Sequence, residues 1–105
     1  MAGQVGWDAQ CNFRSDDFVE QTRQALQNTI AVLAEAGAAP EHVTRMTWYI
    51  TDKKEYLAHL SEVGRVYRET MGRHYPAMAM VEVSALMEDR AKVEVETTAV
   101  VPTGK

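Results

Sequence analysis

The most regular pattern in the chain is an alternation of two kinds of side chain towards its C-terminal end. Residues 77–86 alternate, and residues 92–101 alternate again, as β-strands with two differently used faces would. The short polar segment 87–91 separates them. We therefore predict that the two strands pair as a β-hairpin.

One face of this predicted hairpin is small and apolar, and the other mixes methionine with carboxylates. The apolar face carries Ala77, Ala79, Val81, Val83, Ala85, Val93, Val95, Thr97, Ala99 and Val101. The other face, called here the Met/Glu face, carries Met78, Met80, Glu82, Ser84, Leu86, Lys92, Glu94, Glu96, Thr98 and Val100. The Met/Glu face is too apolar for free exposure to water and too charged for a dry core. We expect helices to cover the apolar face and another subunit to cover the Met/Glu face.

Two amphipathic helices are predicted ahead of the hairpin, one on each side of a further strand. The first helix takes Ser15 as its N-cap and ends at Gly37. The strand, residues 43–51, is rich in β-branched and aromatic side chains. The second helix begins at Asp52, which opens a capping-box pattern, and ends at Gly72.

The predicted order is thus a strand end at residues 2–5, then helix, strand, helix, strand, strand. Two helices of this length cannot cover both faces of a sheet, so we expect them side by side on one face of a mixed sheet. This is a two-layer α+β sandwich. Its uncovered face predicts a closed oligomer, because monomers rarely leave such a patch in water.

Composition narrows the functional class. The 105 residues provide for one domain, residues 1–105, and the net charge of −4 with scattered basic residues argues against a nucleic-acid partner. No apolar run is long enough for a membrane span, and the N-terminus lacks the pattern of a secretory signal. The single cysteine, Cys11, excludes an internal disulfide, and the three histidines lack metal-ligand spacing. We expect a cytoplasmic protein with no metal and no membrane partner.

Several segments, in order and in register, resemble the RidA/YjgF family of reactive-intermediate deaminases. They are Ala-Gly-Gln at 2–4, the first helix with Asn28 and Gly37, Tyr-Ile-Thr-Asp at 49–52, Tyr-Pro-Ala at 75–77, Val-Glu-Val at 81–83 and Val-Glu-Val-Glu at 93–96. The resemblance implies a chorismate-mutase-like fold and a homotrimer with clefts between subunits. It also implies hydrolysis of enamines and imines, such as 2-aminoacrylate, to keto acids and ammonia without a cofactor.

The chain departs from the family pattern at its N-terminus. Family members begin with a hairpin whose second strand ends in Ser-Gly-Gln, and this chain begins within that second strand. We therefore expect the N-terminal hairpin to be incomplete. A misassigned start, a truncation and a natural variant all fit this expectation.

A second departure concerns substrate binding. The family triplet Pro-Ala-Arg, whose arginine grips the substrate carboxylate, is here Pro76-Ala77-Met78. Loss of a charged hydrogen bond costs roughly 1.5–3 kcal/mol, so we expect an altered substrate class. His74, Arg73 and Arg90 are candidates for a replacement cation, although each is also typical of a solvated loop residue.

The resemblance implies a set of site residues. Glu94 matches the family glutamate near the attacking water, and Glu96, on the same face of the strand, is the fallback. The substrate-binding positions it implies are Gly3, Ser61, Pro76, Met78 and Met80. A purely structural carboxylate at Glu94, and interface packing by the two methionines, are the competing interpretations.

The leading functional hypothesis is a hydrolytic deaminase of reactive imines or enamines whose substrate class is altered by Met78. The alternative is a non-catalytic, trimeric module that binds a small metabolite. Ribonuclease activity, with which the family is sometimes credited, is the least favoured, because the chain is acidic and lacks a histidine pair.

Overall fold

The computed structural model describes residues 2–101, which form a mixed four-stranded sheet with helices. The elements are β1 (Gln4–Val5), α1 (Phe18–Glu35), β2 (Val43–Ile50), α2 (Lys53–Ala58), α3 (Leu60–Met71), β3 (Ala77–Glu82) and β4 (Val93–Ala99). A 3-10 turn, Pro40–His42, leads into β2. The α+β class is confirmed, and so is the order of elements, except that two helices stand where one was predicted between β2 and β3.

The sheet order is β1-β4-β2-β3, so the predicted hairpin is wrong. β4 runs antiparallel between β1 and β2, and β3 lies on the far side of β2, parallel to it. A parallel neighbour requires a crossover connection, which α2 and α3 supply. Residues 83–92 then carry the chain past the end of β2 to the opposite side.

The helices cover one face of the sheet, as predicted, but β3 is turned the other way from the prediction. Its pairing with β2 sets Met78 beside Met46 and Met80 beside Trp48, which is buried under the helices. Both methionines therefore lie on the helix-covered face, and Ala79 lies on the uncovered face, called here the open face. The two faces of this edge strand are similarly exposed, Met78 by 44% and Val81 by 40%, so hydrophobic alternation could not distinguish them.

Helix ends follow the predicted signals with two corrections. Asp17, not Ser15, is the N-cap of α1, because its Oδ2 accepts from the Glu20 amide at 2.9 Å. Asp52 caps α2 as predicted, but the helix breaks at His59, where φ is −124° and ψ is 26°. The predicted second helix is therefore two helices, α2 and α3.

Gln21 ties α1 to two distant segments. It is 1% exposed, and its Nε2 donates to the carbonyl oxygens of Ser15 and Arg90, each at 3.0 Å. Its Oε1 accepts from the Lys92 amide at 2.8 Å. One buried side chain thus fixes the point at which the chain enters β4.

Asn28 holds the short strand β1 in place. Its Nδ2 donates to the carbonyl oxygens of Val5 at 2.9 Å and Trp7 at 2.8 Å. Next to β1, Gly6 packs so closely on α1 that a Cβ there would lie 2.7 Å from the Cα of Gln21. These contacts set the position of Gly3 relative to β4.

Within residues 2–101, no helix combines the length and apolar character needed to cross a bilayer. The same residues contain no group of three or more His, Cys, Asp or Glu side chains arranged to hold a metal ion.

Candidate functional site

The predicted site residues fall into two groups on opposite faces of the sheet. Glu94 lies with Gly3 on the open face, whereas Met78 and Met80 lie on the helix-covered face. Pro76 directly precedes β3, and Ser61 is exposed near the start of α3. A single chain therefore does not bring the predicted residues together.

The open-face group is a carboxylate packed against a glycine. Glu94 is partly buried and is paired across the sheet with Tyr49 on one side and Val5 on the other. A Cβ at Gly3 would lie 2.6 Å from Cδ and 2.8 Å from Cγ of Glu94. Only glycine leaves the carboxylate room to lie along the backbone here.

The two glutamates of the open face differ in their partners. Tyr49 Oη donates to Glu96 Oε1 at 3.3 Å, whereas the Glu94 carboxylate makes no hydrogen bond or ion pair with residues 2–101. The charge of Glu96, then desolvation, raises the pKa of Tyr49, and Glu94 adds a smaller effect. The charge of Arg45, on the same face, acts in the opposite direction and lowers the pKa of Tyr49. Of the two glutamates, Glu94 is the one whose carboxylate has no hydrogen-bond partner among the described residues.

A cavity of about 180 Å³ lies on the helix-covered side, at the edge of the sheet formed by β3. We call it the edge pocket. Its lining is mostly apolar and aromatic, and it brings the two predicted methionines together, whereas neither Ser61 nor Pro76 lines it. The lining residues are Trp48, Tyr56, Leu60, Val63, Gly64, Tyr67, Arg68, Tyr75, Met78 and Met80.

Stacked aromatic rings form one wall of the edge pocket. Tyr67 stacks on Tyr75 with ring centroids 5.4 Å apart, and its other neighbour is Trp48 at 6.4 Å. Tyr67 Oη donates to the His74 carbonyl oxygen at 2.7 Å, and burial raises the pKa of Tyr67 to about 12. The Trp48 indole N–H is buried without a hydrogen-bond partner among the described residues.

None of the three predicted replacement cations lines the edge pocket. His74 Nε2 lies 2.7 Å from the Val43 carbonyl oxygen. Arg90 pairs with Asp16 at 2.9 Å, and Arg73 follows the end of α3 in an exposed position.

The cation that does line the pocket is Arg68, which the sequence analysis missed together with Gly64. Gly64 precedes Arg68 by one helical turn, and Nη1 of Arg68 lies 3.5 Å from the position a Cβ would take at Gly64. The sequence did offer one signal for this pair: Gly64 and Arg68 are four residues apart on a helix with an apolar face, so they lie next to each other on the helix surface.

Substitution of Gly64 by alanine is expected to stabilise the protein by roughly 0.5–1 kcal/mol, because glycine is a poor residue inside a helix. The new Cβ would meet only Arg68 Nη1, at the ordinary contact distance of 3.5 Å. Urea unfolding would measure the change. Gly37→Ala is the matched control and should destabilise, since Gly37 has φ +77°. A loss of stability in Gly64→Ala would contradict the prediction.

Comparison with known proteins agrees with this architecture. The model of the endoribonuclease L-PSP family matches residues 1–101. A RutC family protein of Pyrococcus abyssi is 34% identical over 100 residues, which are 94% of this chain and 75% of that protein.

Two crystal structures extend the comparison to the fold. A Rid family protein of unknown function from Yersinia pestis is 31% identical with a TM-score of 0.85, over 96% of this chain and 76% of that one. Escherichia coli TdcF with bound serine is 29% identical with a TM-score of 0.81, over 97% of this chain and 79% of that one. The chorismate-mutase-like fold is thereby confirmed. The chain belongs to the endoribonuclease L-PSP family, which is the RidA/YjgF family that its sequence resembles.

Proposed function

We propose that the protein hydrolyses reactive imines or enamines to keto compounds and ammonia. The observation that carries this proposal is the Glu94 carboxylate, which is partly buried, lies over Gly3 and has no hydrogen-bond partner among residues 2–101. A carboxylate in such a setting is suited to direct a water molecule.

The reaction needs no group beyond water and a proton carrier. An enamine first tautomerises to its imine, which reacts in its protonated form. Glu94 accepts a proton as water adds to the carbon of this iminium ion, which gives a neutral carbinolamine. Glu94 returns that proton to the nitrogen, the C–N bond breaks with release of ammonia, and the carbinolamine hydroxyl gives up its proton as the carbonyl forms. The balance is one iminium ion plus one water to one carbonyl compound plus one ammonium ion.

The proposal includes assembly of the site from more than one copy of the chain. In one copy, Glu94 and the edge pocket face opposite sides of the sheet. Packing of open faces in a homotrimer would set the Glu94 of one copy near the edge of its neighbour. Light scattering should give the mass of a trimer, and a monomer at all concentrations would contradict this part.

Met78 supports a second candidate, a non-catalytic module that binds a small molecule. Without the family arginine, the β3 strand contributes only thioethers to the edge pocket. The serine in the TdcF crystal structure is consistent with a small-molecule site in this family. The acidic charge of this chain disfavours ribonuclease activity, despite the name of the family model.

The test is a competition assay in which an amino-acid oxidase generates an imine and semicarbazide traps it. The wild-type protein is expected to lower semicarbazone formation, because it removes the imine first. Met78→Arg should raise activity on small imino acids by about tenfold or more, since it restores a charged hydrogen bond. Met87→Arg, at a residue 94% exposed, is the matched control and should behave like the wild type.

The outcomes separate the two candidates. Activity of Met78→Arg alone would mean that the wild-type cleft binds without catalysing. Inactivity of both proteins, with folding verified by circular dichroism, would overturn the deaminase proposal.

A further inference from the structure

The edge pocket carries a single charged residue, Arg68, at the rim of an otherwise apolar and aromatic lining. We infer that Arg68 binds the carboxylate of a ligand whose apolar or aromatic side chain fills this pocket. The inference rests on the proposed function only in identifying that ligand as an imino acid substrate and its keto acid product.

The position of the guanidinium depends on the glycine one turn earlier. Because Gly64 has no side chain, Arg68 folds back along α3, and its Nη1 comes within 3.5 Å of the place a Cβ would occupy. A larger side chain at residue 64 would compete for that place. The pair therefore brings a cation from α3 to a pocket to which β3 contributes only methionines.

Arg68 is free to bind an external anion. Its guanidinium has no ion pair or hydrogen bond with residues 2–101. The adjacent acid, Glu69, instead pairs with Arg23 at 2.8 Å and Arg65 at 4.0 Å. The hydrogen bond from Arg23 is the main reason that the pKa of Glu69 is lowered, and Arg68 contributes last.

The residues that line the edge pocket indicate which side chain the ligand carries. An arginine presents a planar fork of N–H donors that matches a carboxylate. The walls offer aliphatic contacts from Leu60 and Val63 and aromatic contacts from Tyr67 and Tyr75. Trp48 also lines the pocket, and an acceptor atom of the ligand that reached its unpartnered indole N–H would offset the cost of burying that group. These features fit a 2-imino or 2-keto acid with a branched or aromatic side chain.

Isothermal titration calorimetry with phenylpyruvate and its uncharged methyl ester would test the inference. The wild-type protein is expected to bind the acid about tenfold or more tightly than the ester, because only the acid forms the charged bond. Arg68→Gln should lose this preference and bind both alike. Arg65→Gln, on the same helix but outside the pocket lining, should keep it.

A second variant guards against an indirect effect of removing a charge. Gly64→Leu retains Arg68 but fills the space beside its guanidinium, so it should also lower the preference for the acid over the ester. The inference is overturned if the wild-type protein fails to bind phenylpyruvate, if it binds acid and ester equally, or if Arg68→Gln keeps the preference.

The titration involves no turnover, so the two proposals can fail separately. A preference for the acid that depends on Arg68, without imine hydrolysis, would leave this inference standing and remove the proposed catalysis. Hydrolysis of aromatic imino acids with the same KM in Arg68→Gln would remove this inference alone.

Discussion

Replacement of Glu94 by glutamine is expected to lower the rate of imine hydrolysis by about a hundredfold or more, which is the usual contribution of a positioned general base. Glutamine preserves the shape of the side chain but cannot accept a proton at neutral pH. Initial rates in the semicarbazide competition assay, at several imine concentrations, would measure the loss as a fall in kcat.

Glu96→Gln is the matched control for this prediction. Glu96 lies two residues further along the same strand and the same face, but it is exposed and accepts a hydrogen bond from Tyr49. It should retain near wild-type activity. Gly3→Ala should reproduce the loss with Glu94 present, because the added Cβ would lie 2.6 Å from the carboxyl carbon and displace it. Loss of activity in Glu96→Gln alone would transfer the role to Glu96.

Replacement of Gln21 by leucine is expected to lower the free energy of unfolding by roughly 1–3 kcal/mol, because it removes three hydrogen bonds to part-buried backbone groups. The substitution orphans the carbonyl oxygens of Ser15 and Arg90 and the amide of Lys92. Equilibrium unfolding in urea, followed by circular dichroism, would measure the change.

Gln27→Leu is the control for Gln21→Leu, since Gln27 is exposed on the same helix. It should change the free energy of unfolding by little. Both variants should be measured at one protein concentration, because an oligomer gains apparent stability from association. A loss below about 1 kcal/mol in Gln21→Leu would mean that water or local relaxation replaces the lost bonds.

Local signals predicted the helices and their limits well. Gly37 and Gly72 adopt the positive φ expected after a helix, 77° and 74°, and Asp52 caps α2 as its sequence pattern indicates. Asp17 is the N-cap of α1 in place of the predicted Ser15. The two residues are close in the chain and similar in capping strength, so the sequence did not distinguish them. These features depend on a few adjacent residues, which is why sequence reasoning reaches them.

Features that depend on distant partners were predicted less well. Alternation in β3 and β4 correctly indicated two strands, but nothing local shows that β2 lies between them. β3 pairs with β2 so that Met80 lies beside Trp48, and this pairing determines which face of β3 is turned towards the helices. The pairing depends on tertiary packing at the sheet edge and not on the sequence of β3 alone.

The residues of the candidate site likewise differ in whether the sequence alone could identify them. Glu94 and Met78 were identified through family motifs, whereas Arg68 required knowledge of how α3 lies against the edge pocket. Gln21 was missed because its bonds to Arg90 and Lys92 span 69 and 71 residues. Buried polar residues of this kind resemble ordinary surface glutamines until their partners are known.

The central position of β4 has a consequence for how the protein is made. β4 is the last strand of the described chain, yet it separates β1 from β2 and is the only strand paired with β1. During synthesis from the N-terminus, the sheet cannot close until Val93–Ala99 has left the ribosome. Until then β1 lacks its partner β4 and one edge of β2 is open, so we expect folding to be completed in a late, cooperative step dominated by long-range contacts.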